Sequence, residues 1–196
     1  MVEREGDMGR KEDLIFRIIE IEWAMFSTVK NRGGKASCQE EPETFKIIRT
    51  SNFMNWSPAT LESYLQDLEE AKKVGRNLMT EKYARMEGMF PFPDTETLSV
   101  INKIVAIECR WLEELAEKSP HLKPARPIYS TDDSPWVVSS ETYARGELAT
   151  YSKRTLELYY EDLLDMKSKN LNRIEMIFNT MLEGFREGAG VREGAS

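Results

Sequence analysis

One thirteen-residue segment of this chain recurs in similar form. Trp56 to Leu68 reads WSPATLESYLQDL and Tyr151 to Leu163 reads YSKRTLELYYEDL, identical at seven of the thirteen positions. The order is kept on either side. Ile18 to Glu22 (IIEIE) lies against Ile104 to Glu108 (IVAIE), Asn77-Leu78 against Asn170-Leu171, and Met86 against Met181. A duplicated unit constrains the fold strongly, because a short unit cannot bury its apolar face alone and needs its second copy. The two copies span about residues 11–90 and 95–184.

Helical periodicity fills both copies. Ile15, Ile18, Ile19, Met25, Phe26 and Val29 recur at helix spacing and predict a helix over 11–30, stopped by Gly33-Gly34. A loop over 31–45 and a short helix from Thr44 to Phe53 follow. Ser57-Pro58 is a capped helix start, and that helix is expected to reach about Glu87 with a bend near Gly75. After Pro91-Phe92-Pro93-Asp94, Leu98, Ile101, Ile104, Val105, Leu112 and Leu115 predict a helix over Thr95 to Lys118. Four prolines make 119–135 irregular. Ser139-Ser140-Glu141 opens the last helical region, expected to run to about Phe185 with a break near Ser168-Lys169-Asn170. Val137-Val138 is too short for a strand. The expected fold is all-α: a helical bundle of two pseudo-twofold-related helical hairpins joined by long loops, one domain over 11–184. Residues 1–10 and 185–196, charged and glycine-containing, are expected to be disordered tails.

Composition narrows the setting. No apolar run is long enough to span a membrane. Cys38 and Cys109 stand far apart in no metal or redox spacing, which suits a reducing, cytoplasmic location. The net charge of −7 and the lack of a dense Lys/Arg stripe argue against a nucleic-acid partner.

Two charged residues interrupt the apolar stripes. Positions 15, 18, 19, 22 and 26 form one face, apolar except for Glu22; positions 101, 104, 105, 108 and 112 form another, apolar except for Glu108. The repeat makes these glutamates equivalent. A buried carboxylate is costly unless paired, hydrogen-bonded or bound to metal. Arg49, Arg85 and Arg145 are the candidate ion-pair partners. The alternative is a divalent magnesium or manganese site formed by Glu22 and Glu108 near the bundle centre. With one histidine, His121, in a proline-flanked loop, a di-iron site with two Glu-x-x-His pairs is not expected.

Other segments offer weaker chemistry. Asn31 to Lys35 (NRGGK) could hold an anion on backbone N–H groups but lacks phosphate-loop spacing, and helix capping explains its glycines. Cys38-Gln39 has no neighbouring histidine to activate the thiol. Tyr83-Ala84-Arg85 and Tyr143-Ala144-Arg145 each pair a phenol with a guanidinium, which suits a carboxylate or phosphate ligand, or a structural role against a buried glutamate. Trp23, Trp56 and Trp111 are expected in the core.

These motifs together carry a resemblance. Glu22-Trp23-Ala24-Met25-Phe26, Asn31, Gly33-Gly34, Ala36, Cys38-Gln39, Thr44-Phe45, Arg49 and Trp56 resemble a bacterial and archaeal family, domain of unknown function 4125. Gly75-Arg76-Asn77-Leu78, Glu81 to Met86, Arg126-Pro127-Ile128, Asp133-Ser134, Glu141-Thr142-Tyr143, Gly146-Glu147-Leu148 and Thr150-Tyr151-Ser152 fit it too, so the resemblance covers about 14–182. It implies no established activity, only an association with nucleotidyltransferase-like proteins. The expected site is a pocket between the repeats that binds a small polar molecule or metal. Its candidate residues are Glu22, Asn31, Cys38, Gln39, Arg49, Tyr83, Arg85, Glu108, Arg145, Glu147 and Tyr151. Whether it is an enzyme stays open. The other reading is a helical interaction module for a protein partner such as a nucleotidyltransferase.

Overall fold

The computed structural model describes residues 2–30, 36–120 and 125–193, with side chains described over 9–30, 36–120 and 125–187. Among these residues the chain is all-helical, with α1 Val2–Phe26, α2 Pro42–Phe53, α3 Pro58–Lys73, α4 Leu78–Met86, α5 Thr95–Lys118, α6 Ser140–Leu148, α7 Lys153–Ser168 and α8 Arg173–Glu193. The nearest thing to a strand is one isolated bridge between Ser134 and Val137. No described helix is long and apolar enough to cross a membrane.

The central pair, α3 and α7, shows how the sequence makes these elements. Ser57 and Ser152 cap them, their hydroxyls accepting from the amides of Thr60 and Thr155. Each cap satisfies an otherwise orphaned N–H and is worth about 1 kcal/mol. Leu61, Tyr64, Leu65 and Leu68 then lie buried on one face of α3, as do Leu156, Tyr159 and Leu163 on α7. Truncating Leu61 or Leu156, both fully buried, would cost about 3 kcal/mol. Past α3, Gly75 takes φ +73° and Arg76 N–H donates back to Ala71 O. Past α7, Asn170 takes φ +53° and Leu171 N–H donates back to Met166 O.

The helices interlock across the midpoint of the chain. α1 packs on α3, and α5 on α7, with α3 against α7 between them. α2 lies on α1 and also on α8; α6 lies on α5 and also on α4. The α3–α7 contact is reciprocal. Asp162 accepts from Ser57 N–H at 2.9 Å and the Thr60 hydroxyl at 2.6 Å. Asp67 accepts from Ser152 N–H at 2.9 Å and the Thr155 hydroxyl at 2.7 Å.

Several expectations need correction. The helix expected over 57–87 is two helices, because Gly75 turns the chain and Asn77 caps α4 by accepting from Thr80 N–H. The region after Ser139 is three helices, broken also between Leu148 and Lys153, where Ser152 starts a new cap. α1 begins at Val2, inside the stretch expected as a tail, and α8 continues to Glu193, past the expected end. Extending a formed helix costs little where Glu, Arg, Met and Ala supply high propensity. Gly184 therefore does not stop α8. A Cβ there would come within 2.9 Å of Ile47 Cγ2, so the residue lets α8 lie close on α2.

Candidate functional site

Glu22 of α1 is fully buried and Arg49 of α2 nearly so. The guanidinium grips the carboxylate with both arms, Nε to Oε2 at 2.6 Å and Nη2 to Oε1 at 2.5 Å. The Tyr64 hydroxyl donates to Oε1 at 2.7 Å. Burial pushes the Glu22 carboxyl above its ordinary range, with Arg49 pulling against it. Arg49 reaches a second carboxylate: Nη2 lies 3.0 Å from Glu147 Oε1. Against the cost of burial, Glu147 and Glu22 together hold the guanidinium charged.

Glu147, on α6, is the junction of the cluster. It accepts from Lys82 Nζ at 2.5 Å and from the Tyr151 hydroxyl at 2.9 Å. Burial opposes its ionisation, but Arg49 and Lys82 prevail and hold its carboxyl far below the usual range. Lys82 is 3% exposed, and its ammonium also sits 3.6 Å from the ring centroid of Tyr143, whose other neighbour is the Arg126 guanidinium at 4.6 Å. The Lys82 charge draws the Tyr143 phenol below its ordinary value, while burial raises that of Tyr83. This meeting depends on Gly146. A Cβ there would lie 2.6 Å from Met86 Cγ and 3.1 Å from the Lys82 carbonyl oxygen, so α6 and α4 cross closely only without one.

Glu108 of α5 forms a third node. The Tyr159 hydroxyl donates to it, and Arg173 Nη1 donates at 3.2 Å while Nη2 holds the Asn52 carbonyl at 3.1 Å. Burial again raises the carboxyl, offset by Arg173. Trp56 joins this node to the first, its ring 4.8 Å from Tyr159 and 5.6 Å from Tyr64.

Apart from Glu22 and Tyr64, which lie behind them, these groups line a cleft of about 970 Å³. Its lining carries four cations, Arg49, Lys82, Arg126 and Arg173, against two carboxylates, Glu108 and Glu147. Phe26, Phe45, Phe53, Trp56 and Trp136 supply aromatic surface. Two N–H donors of the lining are orphaned. Trp56 Nε1 and Arg173 Nε are buried without a hydrogen-bond partner.

Of the residues expected in the pocket, Glu22, Arg49, Glu147 and Tyr151 form one hydrogen-bonded cluster, and Cys38, Tyr83 and Glu108 line the same cleft. Arg85 and Arg145 do not join them. Each binds the glutamate one turn earlier on its own helix, Arg85 near Glu81 at 3.7 Å and Arg145 on Glu141 at 3.0 Å. Arg85 also donates to Pro91 O, and Arg145 to Asn102. The partner of Glu108 is therefore Arg173, not Arg145. Gln39 is buried as a cap: its amide donates to Phe26 O and Val29 O at the end of α1. Asn31, the 31–35 loop and His121 lie outside the described residues. No group of three or more His, Cys, Asp or Glu among the described residues is placed to hold an ion, and Glu22 and Glu108 each face a guanidinium instead.

Sequence reasoning missed Lys82, Arg126, Trp136 and Arg173. Lys82 stood between Glu81 and Tyr83 in a motif already singled out, and its signal was a cation on the apolar side of a short helix. Arg173 has no local signal, since it meets Glu108 from a helix 65 residues away.

The chain matches the family described as "Protein of unknown function (DUF4125)" over residues 12–188 and belongs to it. No curated protein and no solved structure matches it.

Proposed function

We propose that this member of the DUF4125 family binds a small anionic molecule, a carboxylate or phosphate, in the cleft around Arg49, Lys82 and Arg173. The observation that carries the reading is the pair of orphaned N–H donors in the cleft lining. Trp56 Nε1 and Arg173 Nε are buried without acceptors beside four cations and two carboxylates. Buried N–H groups left unpaired are costly, and an acceptor-rich ligand relieves that cost. Arginine and lysine donors suit carboxylate and phosphate oxygens. The buried acids hold this cationic wall in place, and their phenol partners, kept neutral by burial, remain donors.

The proposed frame is two duplicated halves related by a pseudo-twofold axis, with the cleft where they meet. Supporting it are the matched α1–α3 and α5–α7 contacts, the exchanged α2–α8 and α4–α6 contacts, and the reciprocal Asp67 and Asp162 bonds. Cys38 and Cys109, both free thiols, suit the proposed cytoplasmic setting.

Calorimetric titration with methyl phosphate and with acetate tests the reading. The native chain is expected to bind at least one of them saturably. Lys82→Met is expected to weaken that binding about ten-fold or more, since a hydrogen bond to a charged group is worth about 1.5–3 kcal/mol. Absence of saturable binding, or binding untouched by Lys82→Met and Arg173→Gln alike, overturns it.

A further inference from the structure

The mouth of the cleft carries a tryptophan that the fold goes out of its way to expose. Trp136 is 91% exposed, the most exposed large apolar side chain among the described residues. Its exposure is not looseness of the backbone. Ser134 N–H donates to Val137 O at 2.9 Å, and the Ser134 hydroxyl accepts from Val137 N–H at 3.1 Å, closing a tight turn around it. That turn is latched to α6. Asp133 accepts from Ser139 N–H at 2.6 Å and from the Thr142 hydroxyl at 2.5 Å. Arg126 ties in from the other side, donating to Val138 O while stacking on Tyr143. The helix that holds the turn is the helix that presents Tyr143 and Glu147 to the cleft.

A tryptophan ring left in water forgoes the gain its burial would bring, unless something covers it part of the time. The cleft lining includes both Trp136 and the Arg126–Tyr143 stack. The lining thus carries an exposed indole at Trp136 and buried cations at Arg49, Lys82 and Arg173. A flat ring fits the first and an anion the second.

We infer that the ligand of this cleft is an anion carrying a planar aromatic ring, which lies against Trp136 while the anionic group meets Lys82 and Arg49. The inference rests on the anion reading above and narrows its ligand class. Trp136 is a binding residue for the ring, and its contribution is separable from that of the cations, because its side chain is 91% exposed while theirs are buried.

Two matched probe pairs test it on the full chain: phenyl phosphate against methyl phosphate, and benzoate against acetate, by calorimetry. The aromatic member of at least one pair is expected to bind about ten-fold more tightly, the gain typical of stacking on an exposed aromatic. Trp136→Ala is expected to remove that advantage and leave the methyl phosphate or acetate affinity unchanged. The aromatic probe is also expected to shield Trp136 fluorescence from acrylamide, a readout absent in the variant. The pair that shows the effect identifies the anion as phosphate or carboxylate. Equal binding of ring-bearing and ringless probes, with Lys82→Met still weakening both, overturns the ring inference and leaves the anion reading standing. A ring advantage that survives Trp136→Ala overturns it too. If no probe binds, both readings fall together.

Discussion

The three glutamates of the cluster, Glu22 fully buried and Glu108 and Glu147 partly so, do not behave alike. Glu147 is held low by Arg49 and Lys82, whereas burial raises Glu22 and Glu108. A carboxylate whose folded value is depressed stabilises the protein above its unfolded value, near 4.5, and that contribution fades as pH falls toward the folded value. A raised carboxylate has the opposite sign: its contribution is full below the unfolded value and fades as pH rises through the folded one. Glu147→Gln is therefore expected to cost about 3 kcal/mol at neutral pH, because two buried cations lose their shared partner, with the deficit shrinking at acid pH. Glu108→Gln keeps an acceptor for Tyr159 and is expected to cost about 1 kcal/mol, with a deficit that shrinks as pH rises instead. Urea unfolding of both variants between pH 3 and 8 checks the opposite slopes. Glu22 and Glu108 were legible in the sequence because a charge on an apolar stripe breaks a local pattern. Their partners were legible only where proximity could be guessed. Arg49 was a correct candidate; Arg173 was not, because no local spacing connects α5 with α8.

Caps and periodicity made most helices legible. α5 was read to its ends, Thr95 to Lys118, because Asp94 caps it and its apolar stripe runs the length of the helix with Glu108 as its one charged member. The breaks were harder. Gly75 reads as a bend in one dimension and becomes a turn between α3 and α4 only once Asn77 caps the next helix. The break before Lys153 was signalled by the sequence match of Ser152 with Ser57, yet the flanking helical pattern hid it. The opposite error arose at Gly184, where a stop signal turned out to be a packing site. Helix crossings invert the usual effect of replacing helical glycine. In an exposed helix Gly→Ala stabilises by about 1 kcal/mol. At Gly146 and Gly184 the added Cβ would meet Met86 and Ile47 at 2.6 and 2.9 Å, so each Gly→Ala is expected to destabilise instead, by about 1–3 kcal/mol. Thermal melts decide the sign. Gly146→Ala is further expected to weaken anion binding, since it moves α4, and Lys82 with it, away from Glu147.

At the scale of the whole molecule, the all-helical class followed from periodicity and the absence of strand patterns. The exchange of helices between halves did not, because which face of α2 or α4 finds which distant helix depends on shape in three dimensions. That exchange spreads the cleft over the chain: Arg49 and Lys82 come from before the exposed 88–93 connection, and Glu147 and Arg173 from after it. A backbone cut between Phe90 and Pro91 would sever the covalent link while leaving α2 on α8 and α4 on α6. The two fragments, made separately, are expected to be poorly helical by circular dichroism and blind to anions. Mixed, they should regain both properties at a rate that rises with the concentration of each. Fragments that fold and bind alone would contradict this. Complementing fragments would turn the protein into a two-piece switch, in which recognition of a small molecule reports that two polypeptides have met.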